Sequence, residues 1–253
     1  MAQGESQDTP CPALYVGFSI ASSCTMPKST SPWLDTAHPS KRSALTTDAQ
    51  TDVCVIGAGI AGATTAYLLA LEGRSVILID DGTPACGQTA VTTAHLSNVI
   101  DDRYSEMIRL HGEDGARLAC DSHRAAIDQI ENICRREQID ADFSRLSGYL
   151  FLSPEHDTRF LDDEYEAART AGVEVEKLAN ANVSGFKSGP CLHFPRQGQF
   201  HPLKYLNALL GAFTRAGGQL YGGTRATKVT GGATADIETA SGAQSERHLR
   251  WAQ

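Results

Sequence analysis

The feature that most limits what this chain can fold into is the stretch from Thr51 to Asp80, TDVCVIGAGIAGATTAYLLALEGRSVILID. Residues 53–56 (Val-Cys-Val-Ile) form a short apolar run with the length and β-branched character of a buried strand. Gly57, Gly59 and Gly62 then give G-x-G-x-x-G, with Ile60 and Ala61 between the last two glycines. Ala63 to Leu71 continues with small and apolar residues at helical spacing, and Gly73 ends that helix. Residues 75–79 (Ser-Val-Ile-Leu-Ile) form a second buried strand that closes on Asp80. Strand, glycine turn, helix and strand make one βαβ unit. The fold class is therefore α/β, a Rossmann-like domain with a parallel sheet.

Each part of the unit has a physical task. Gly57 permits the tight turn, Gly59 lets the backbone approach a pyrophosphate with no Cβ in the way, and Gly62 lets the helix pack closely on the strand. The helix start at Ile60 and Ala61 aims free N–H groups and the positive end of the helix dipole at phosphates. Asp80 lies 18 residues beyond Gly62, near the spacing at which an acid accepts hydrogen bonds from an adenosine ribose. A carboxylate there repels a 2′-phosphate, which disfavours NADP. The pattern defines an adenine-dinucleotide site, and it admits an NAD-dependent dehydrogenase as well as a flavoprotein.

At 253 residues and 41% hydrophobic, the chain has enough apolar material for one large domain or one and a half. Its formal net charge of −8 argues against nucleic acid or an anionic membrane as partner. No apolar run approaches the roughly 20 residues that a bilayer-spanning helix needs. The seven cysteines are odd in number and scattered, without a C-x-x-C pair, which fits a reducing cytoplasm better than a disulfide framework. Residues 1–50 read as an extended arm ahead of a domain spanning 51–253. The apolar patch at 13–21 fails as a secretory signal because Glu5 and Asp8 precede it without a basic residue, and Met26 is an alternative start. Trp33 and Leu34 are the one apolar anchor of the arm.

Beyond Asp80, residues 81–104 show little periodicity but many small hydroxyl residues, either a surface loop or a source of donors for a second phosphate. From about Asp114 to Glu137 the spacing predicts an amphipathic helix, with His123 on its packed stripe. Residues 143–152 predict a strand or hairpin around Gly148, and 154–171 a helix. Residues 180–200, with Pro190, Pro195 and several glycines, predict a long irregular connection. A helix from Pro202 to Gly217-Gly218 follows, then strands at 219–221, 224–230 and 235–240. No Ser/His/Asp or Cys/His set at useful spacing appears, and no metal-ligand cluster.

Three stretches carry a resemblance to a known family. They are VCVIGAGIAGATTAYLLALEGRSVILID, TTAHLSNVIDDRY with the following HGEDGARLACDSHRAAIDQIE, and GQFHPLKYLNALLGAFTRAGGQLYGGTRATKV. The chain resembles the N-terminal part of the FAD-dependent D-amino-acid oxidase, glycine oxidase and sarcosine oxidase superfamily, near a branch often fused to a C-terminal Rieske domain. The resemblance implies FAD as cofactor, a glutathione-reductase-type flavoprotein fold, and a contribution of 140–200 to a substrate-domain sheet. It implies that Gly57, Gly59 and Gly62 hold the pyrophosphate, that Asp80 holds the ribose where the family more often has Glu, and that Thr92, Thr93 and His95 line the path to the flavin. Val229 is implied to offer backbone groups to the adenine. The implied chemistry is oxidation of an amine or amino-acid C–N bond, with dioxygen or an electron-transfer partner as acceptor and no catalytic residue identifiable.

Two departures from the family accompany it. Ala90-Val91 stands where relatives commonly have Gly-Arg or Gly-His. The terminal SGAQSERHLRWAQ stands where an apolar strand is expected. The expectation from this ending is a C-terminally incomplete oxidoreductase domain with an unpaired sheet edge, weakened FAD affinity and poor solubility. A non-catalytic nucleotide-binding fragment is the alternative reading.

Overall fold

The computed structural model of the chain describes residues 30–153, 157–181, 183–232, 234–241 and 246–252. The patch at 13–21 and the alternative start at Met26 lie outside them. Ser31 onward forms one compact unit.

Within the stretch read as an extended arm, Pro32–Thr36 forms a short helix, α1, whose start is capped by the Ser31 hydroxyl accepting from the Trp33 N–H. The chain then reaches β1 (Ala49–Thr51) and the expected unit: β2 (Val53–Ile56), α2 (Ile60–Leu71) and β3 (Val76–Ile79). β2 and β3 pair in parallel, Val53 opposite Val76 and Ile56 opposite Ile79. All four residues of β3 are buried, as a strand covered on both faces requires. Its other edge pairs in parallel with the later strand at 219–221, giving a three-stranded parallel sheet with β2 at one edge.

A 3-10 turn (Gln88–Val91) and β4 (His95–Leu96) lead to the long helix α3 (Arg103–Arg136). α3 begins eleven residues before the expected Asp114. Gly112 interrupts it with φ 71° and ψ 174°, so Glu113 and Asp114 open its second half, which is the part the periodicity detects. The first half is fastened elsewhere: the buried Glu164 carboxylate accepts the N–H groups of Tyr104 at 2.8 Å and Ser105 at 3.0 Å. An anion at a helix start both satisfies orphan donors and meets the positive dipole end. His123 is exposed rather than packed. The helix crosses there from one cluster, around Ala116 and Cys120, to another around Ile130, Ile133 and Cys134.

β5 (Ser144–Phe151) is a single strand, not a hairpin. It is followed by α4 (Thr158–Thr170), β6 (Glu176–Leu178) and β7 (Cys191–Gln199). β7 corrects the expected irregular connection at 180–200. It is the central strand of the second sheet, paired antiparallel with β5 on one side and with β4 and β6 on the other. Its Pro195 and the left-handed Arg196 (φ 61°) sit where the β5–β7 register shifts between Leu146 and Gly148. A bulge accepts a proline that an unbroken ladder would reject, which is why the run does not look like a strand.

α5 (Pro202–Arg215) packs on α2, and β8 (Gln219–Tyr221), β9 (Thr224–Thr230) and β10 (Thr234–Ser241) follow. The terminal stretch also corrects its expectation: Glu246–Ala252 forms β11, antiparallel to β10 and parallel to β1, in a sheet of order β1-β11-β10-β9. Pairing on both edges holds a polar segment in strand form without an apolar run. The main core joins α2, β3 and α5 through Ala63, Ala66, Tyr67, Leu78, Leu206 and Phe213, all below 1% exposed.

Candidate functional site

The three glycines form a turn at the carboxyl end of β2. Gly57 has φ +100°, which a side chain would strain, and the place of its missing Cβ is open space. Its N–H donates to the Ile79 carbonyl at 2.8 Å, tying the turn to β3. At Gly62 a Cβ would come within 1.9 Å of the Gly57 carbonyl oxygen, so only glycine seats the helix this close to the turn. Gly59 is the N-cap of α2 and supplies no side-chain acceptor. The N–H groups of the first turn, at Ile60, Ala61 and Gly62, therefore have no partner within the helix, apart from a long 3.4 Å contact from the Ile60 N–H to the Thr89 hydroxyl. This is the geometry that receives an anion at a helix start.

Asp80 stands at the end of β3 beside this turn. Its Oδ2 accepts the Ala58 N–H at 2.7 Å and its Oδ1 accepts the Gly82 N–H at 3.0 Å. The carboxylate thus braces the glycine turn, and each oxygen keeps a further lone pair for a ribose hydroxyl. Thr92 lies beyond the 3-10 turn, with its hydroxyl accepting the Ala94 N–H at 3.3 Å. Thr93 and His95 are exposed, and His95 pairs through its backbone with Gln199. Val229 lies on β9, the outer strand of its sheet, and packs near Ile77 and Ile79 on the side of β3 away from the main core.

Gly57, Gly59, Ile60, Ala61, Gly62 and Asp80 are thus one constellation, and the segment Thr92–His95 is tied to it through Thr89. Sequence reasoning missed Thr89 and Ala58; the hydroxyl-rich loop was the available signal for the former. At the Ala90-Val91 departure, Ala90 is buried and Val91 exposed, and neither offers a polar side chain. The nearby Cys54 thiol, in β2, is pushed up to about 12 by burial and stays protonated, which rules it out as a nucleophile.

The structure also brings together a set that spacing did not reveal. The Ser147 hydroxyl lies 2.8 Å from His193 Nε2, and Glu176 Oε2 lies 3.1 Å from His193 Nδ1, across β5, β7 and β6. The Glu176 side chain is 63% exposed, so water screens it. His193 stands six residues along β7 from Gln199, the partner of His95, about 20 Å at strand rise. We read the set as a cross-strand hydrogen-bond chain. Among the described residues no group of three or more His, Cys, Asp or Glu could hold a metal ion, and no helix is long and apolar enough to cross a membrane.

A parallel sheet with a phosphate-receiving glycine turn and an acid at the next strand end defines a dinucleotide-binding α/β protein of the Rossmann class. Comparison with known proteins is more specific. The family model described as "FAD dependent oxidoreductase" matches residues 52–250, and the chain belongs to that family. It is 36% identical over 198 residues to the Rieske 2Fe-2S iron–sulfur protein YhfW of Bacillus subtilis (strain 168), covering 78% of this chain and 39% of that protein. It is 24% identical over 203 residues to gamma-glutamylputrescine oxidoreductase of Escherichia coli (strain K12), covering 78% of this chain and 47% of that one. Its fold matches L-amino acid deaminase from Proteus myxofaciens (TM-score 0.65, 18% identity, 86% of this chain and 47% of that chain). Glycine oxidase from Geobacillus kaustophilus matches at TM-score 0.57 and 19% identity, over 80% of this chain and 53% of that one. The chain thus spans about half or less of the length of these relatives.

Proposed function

We propose that this chain is the cofactor-binding part of an FAD-dependent oxidoreductase that oxidises the C–N bond of an amine or amino acid. The observation that carries the reading is the cradle itself: a Cβ-free turn at Gly57 and Gly59 faces the uncapped start of α2, with Asp80 alongside. In this reading the free N–H groups of the first turn hold the pyrophosphate, Asp80 accepts from the adenosine ribose, and Val229 lies toward the adenine. Thr92, Thr93 and His95 line the path to the flavin ring.

Bound FAD supplies the redox chemistry, accepting a hydride from the carbon that bears the amine and leaving an imine that water hydrolyses. The chain's own part is to bind and orient. Asp80 is already fixed by two backbone donors, so it needs little reordering to meet the ribose. The substrate class is supported by the names of the relatives, an L-amino acid deaminase, a glycine oxidase and a gamma-glutamylputrescine oxidoreductase. An iron–sulfur electron carrier as acceptor, in place of dioxygen, is supported by the likeness to YhfW. The thiols of Cys54, Cys120, Cys134 and Cys191, none of them in a disulfide, support a reducing cytoplasm.

The test is anaerobic mixing of the FAD-loaded chain with a panel of amino acids and primary and secondary amines. Bleaching of the flavin band, with one carbonyl product per flavin, is expected for at least one of them. A loaded chain that no amine bleaches, but that 2-hydroxy acids do, would overturn the C–N assignment.

A further inference from the structure

The short helix α1 is fastened on one side to α5 and on the other to the entry of a loop that the cofactor reading needs. The Trp33 indole N–H donates to the Thr92 carbonyl at 2.8 Å. The Trp33 ring stands edge-on to His201, with centroids 5.0 Å apart, at the start of α5. His201 Nδ1 accepts the Lys204 N–H at 3.2 Å, so the ring proton sits on Nε2 and is donated to the Thr36 hydroxyl at 2.8 Å. Thr36 passes its own proton to the Pro32 carbonyl at 2.8 Å. Asn207 on α5 adds a bond to the His38 carbonyl at 3.1 Å. Trp33, Leu34 and Ala37 pack against the main core. None of these contacts has a partner in the glycine motif, yet together they fix one carbonyl.

That carbonyl matters because of where the loop begins. Thr89 touches the start of α2, through its hydroxyl and the Ile60 N–H, only three residues before Thr92. After Thr92 the backbone turns through Ala94 at φ 61°, a left-handed conformation that alanine adopts at a cost. A strained turn persists only where neighbours hold it. Trp33 is the side chain that holds its entry, while Thr89 holds the end next to the cradle.

We propose that Trp33 is a positioning residue of the cofactor site, and that segment 31–38 is a strap that sets the Thr92–His95 loop against the flavin end of FAD. The proposal rests on the FAD reading given above. It makes a distinction that general support of the fold would not make. ADP needs the glycine turn and Asp80 alone, whereas FAD also needs the strapped loop.

The experiment compares the wild type with Trp33→Phe, which keeps an aromatic ring and removes the N–H. Dissociation constants for FAD and ADP are measured on both, together with amide hydrogen exchange of the cofactor-free proteins. Loss of one hydrogen bond predicts about a three- to tenfold weaker FAD affinity with ADP affinity unchanged. It also predicts faster exchange at Ala94, His95 and Leu96, with α2 and β3 unaltered. Equal weakening of FAD and ADP, or no change in either, would overturn the proposal. If the wild type binds FAD no better than ADP, the cofactor reading fails on its own, and the exchange data then decide: unaltered exchange in the loop sinks the strap, and faster exchange confined to it upholds the strap.

Discussion

Replacing Gly62 with alanine should destabilise the protein although alanine is the better helix former. The added Cβ would lie 1.9 Å from the Gly57 carbonyl oxygen, 3.1 Å from its carbon and 3.4 Å from Val55 Cγ1. Non-bonded heavy atoms settle near 3.5 Å, so the carbonyl must retreat by roughly 1.5 Å. It is poorly placed to do so, because the Gly57 N–H is bonded to Ile79 at 2.8 Å and the next N–H, of Ala58, to Asp80 at 2.7 Å. Overpacking against a yielding side chain costs about 1–3 kcal/mol; an anchored backbone puts this case at or above the upper end, about 3–4 kcal/mol. Helix propensity returns about 1 kcal/mol, leaving a net loss of about 2–3 kcal/mol. For a domain of this size that lowers the melting temperature by roughly 4–12 °C. Gly211→Ala is the control: in α5 its Cβ meets only the flexible end of Arg215, at 3.5 Å, and a gain of about 0.5–1 kcal/mol is expected. Urea titration followed by far-ultraviolet circular dichroism reads both. If Gly62→Ala gains stability as Gly211→Ala does, α2 is not seated on the turn as described and the reasoning is refuted.

Three further outcomes follow from single contacts. Burial and the nearby Lys204 hold the His201 pKa below its ordinary value, with Asp142 opposing them. The unfolded chain therefore takes up the proton first as pH falls: stability is complete above about 6.5 and declines from there down to the folded pKa. His201→Asn, which keeps an acceptor at the N-cap but cannot titrate, should flatten the urea midpoint between pH 7.5 and pH 5.5; a wild type already flat over that range would contradict this. Glu164→Ala removes a buried acceptor from the Tyr104 and Ser105 N–H groups and should cost about 2–4 kcal/mol by thermal melting, with loss confined to the contact of α3 with α4. Asp80→Asn leaves one of the two backbone donors facing an amide NH₂, so FAD affinity should fall at least about tenfold in an equilibrium titration; unchanged affinity would remove Asp80 from the site.

What the sequence disclosed and what it hid divide by range. The βαβ unit is local: its apolar runs, glycine spacing and terminal acid lie within thirty residues, and β2, α2 and β3 stand where those residues place them. α5 was equally legible, because Pro202 and the glycine pair at 217–218 mark its two ends. β7 was hidden because Pro195 and a left-handed Arg196 break its alternation, and only their place as a bulge opposite Ser147 of β5 makes sense of them. β11 was hidden because its pairing with β10 and β1, not its composition, makes it a strand. At the site, the glycines and Asp80 were legible from spacing. The Trp33–Thr92 bond spans 59 residues and the Ser147–His193 contact 46, and no local pattern encodes either.

The most direct test of the central claim is the visible absorption spectrum of the purified chain incubated with FAD and freed of excess by gel filtration, recorded again after denaturation. The account predicts flavin bands near one equivalent per chain, released into solution on denaturation, and no such retention by a Gly59→Val variant, whose side chain fills the approach to the pyrophosphate. A wild type that elutes colourless, or a variant that retains the flavin equally well, would contradict it.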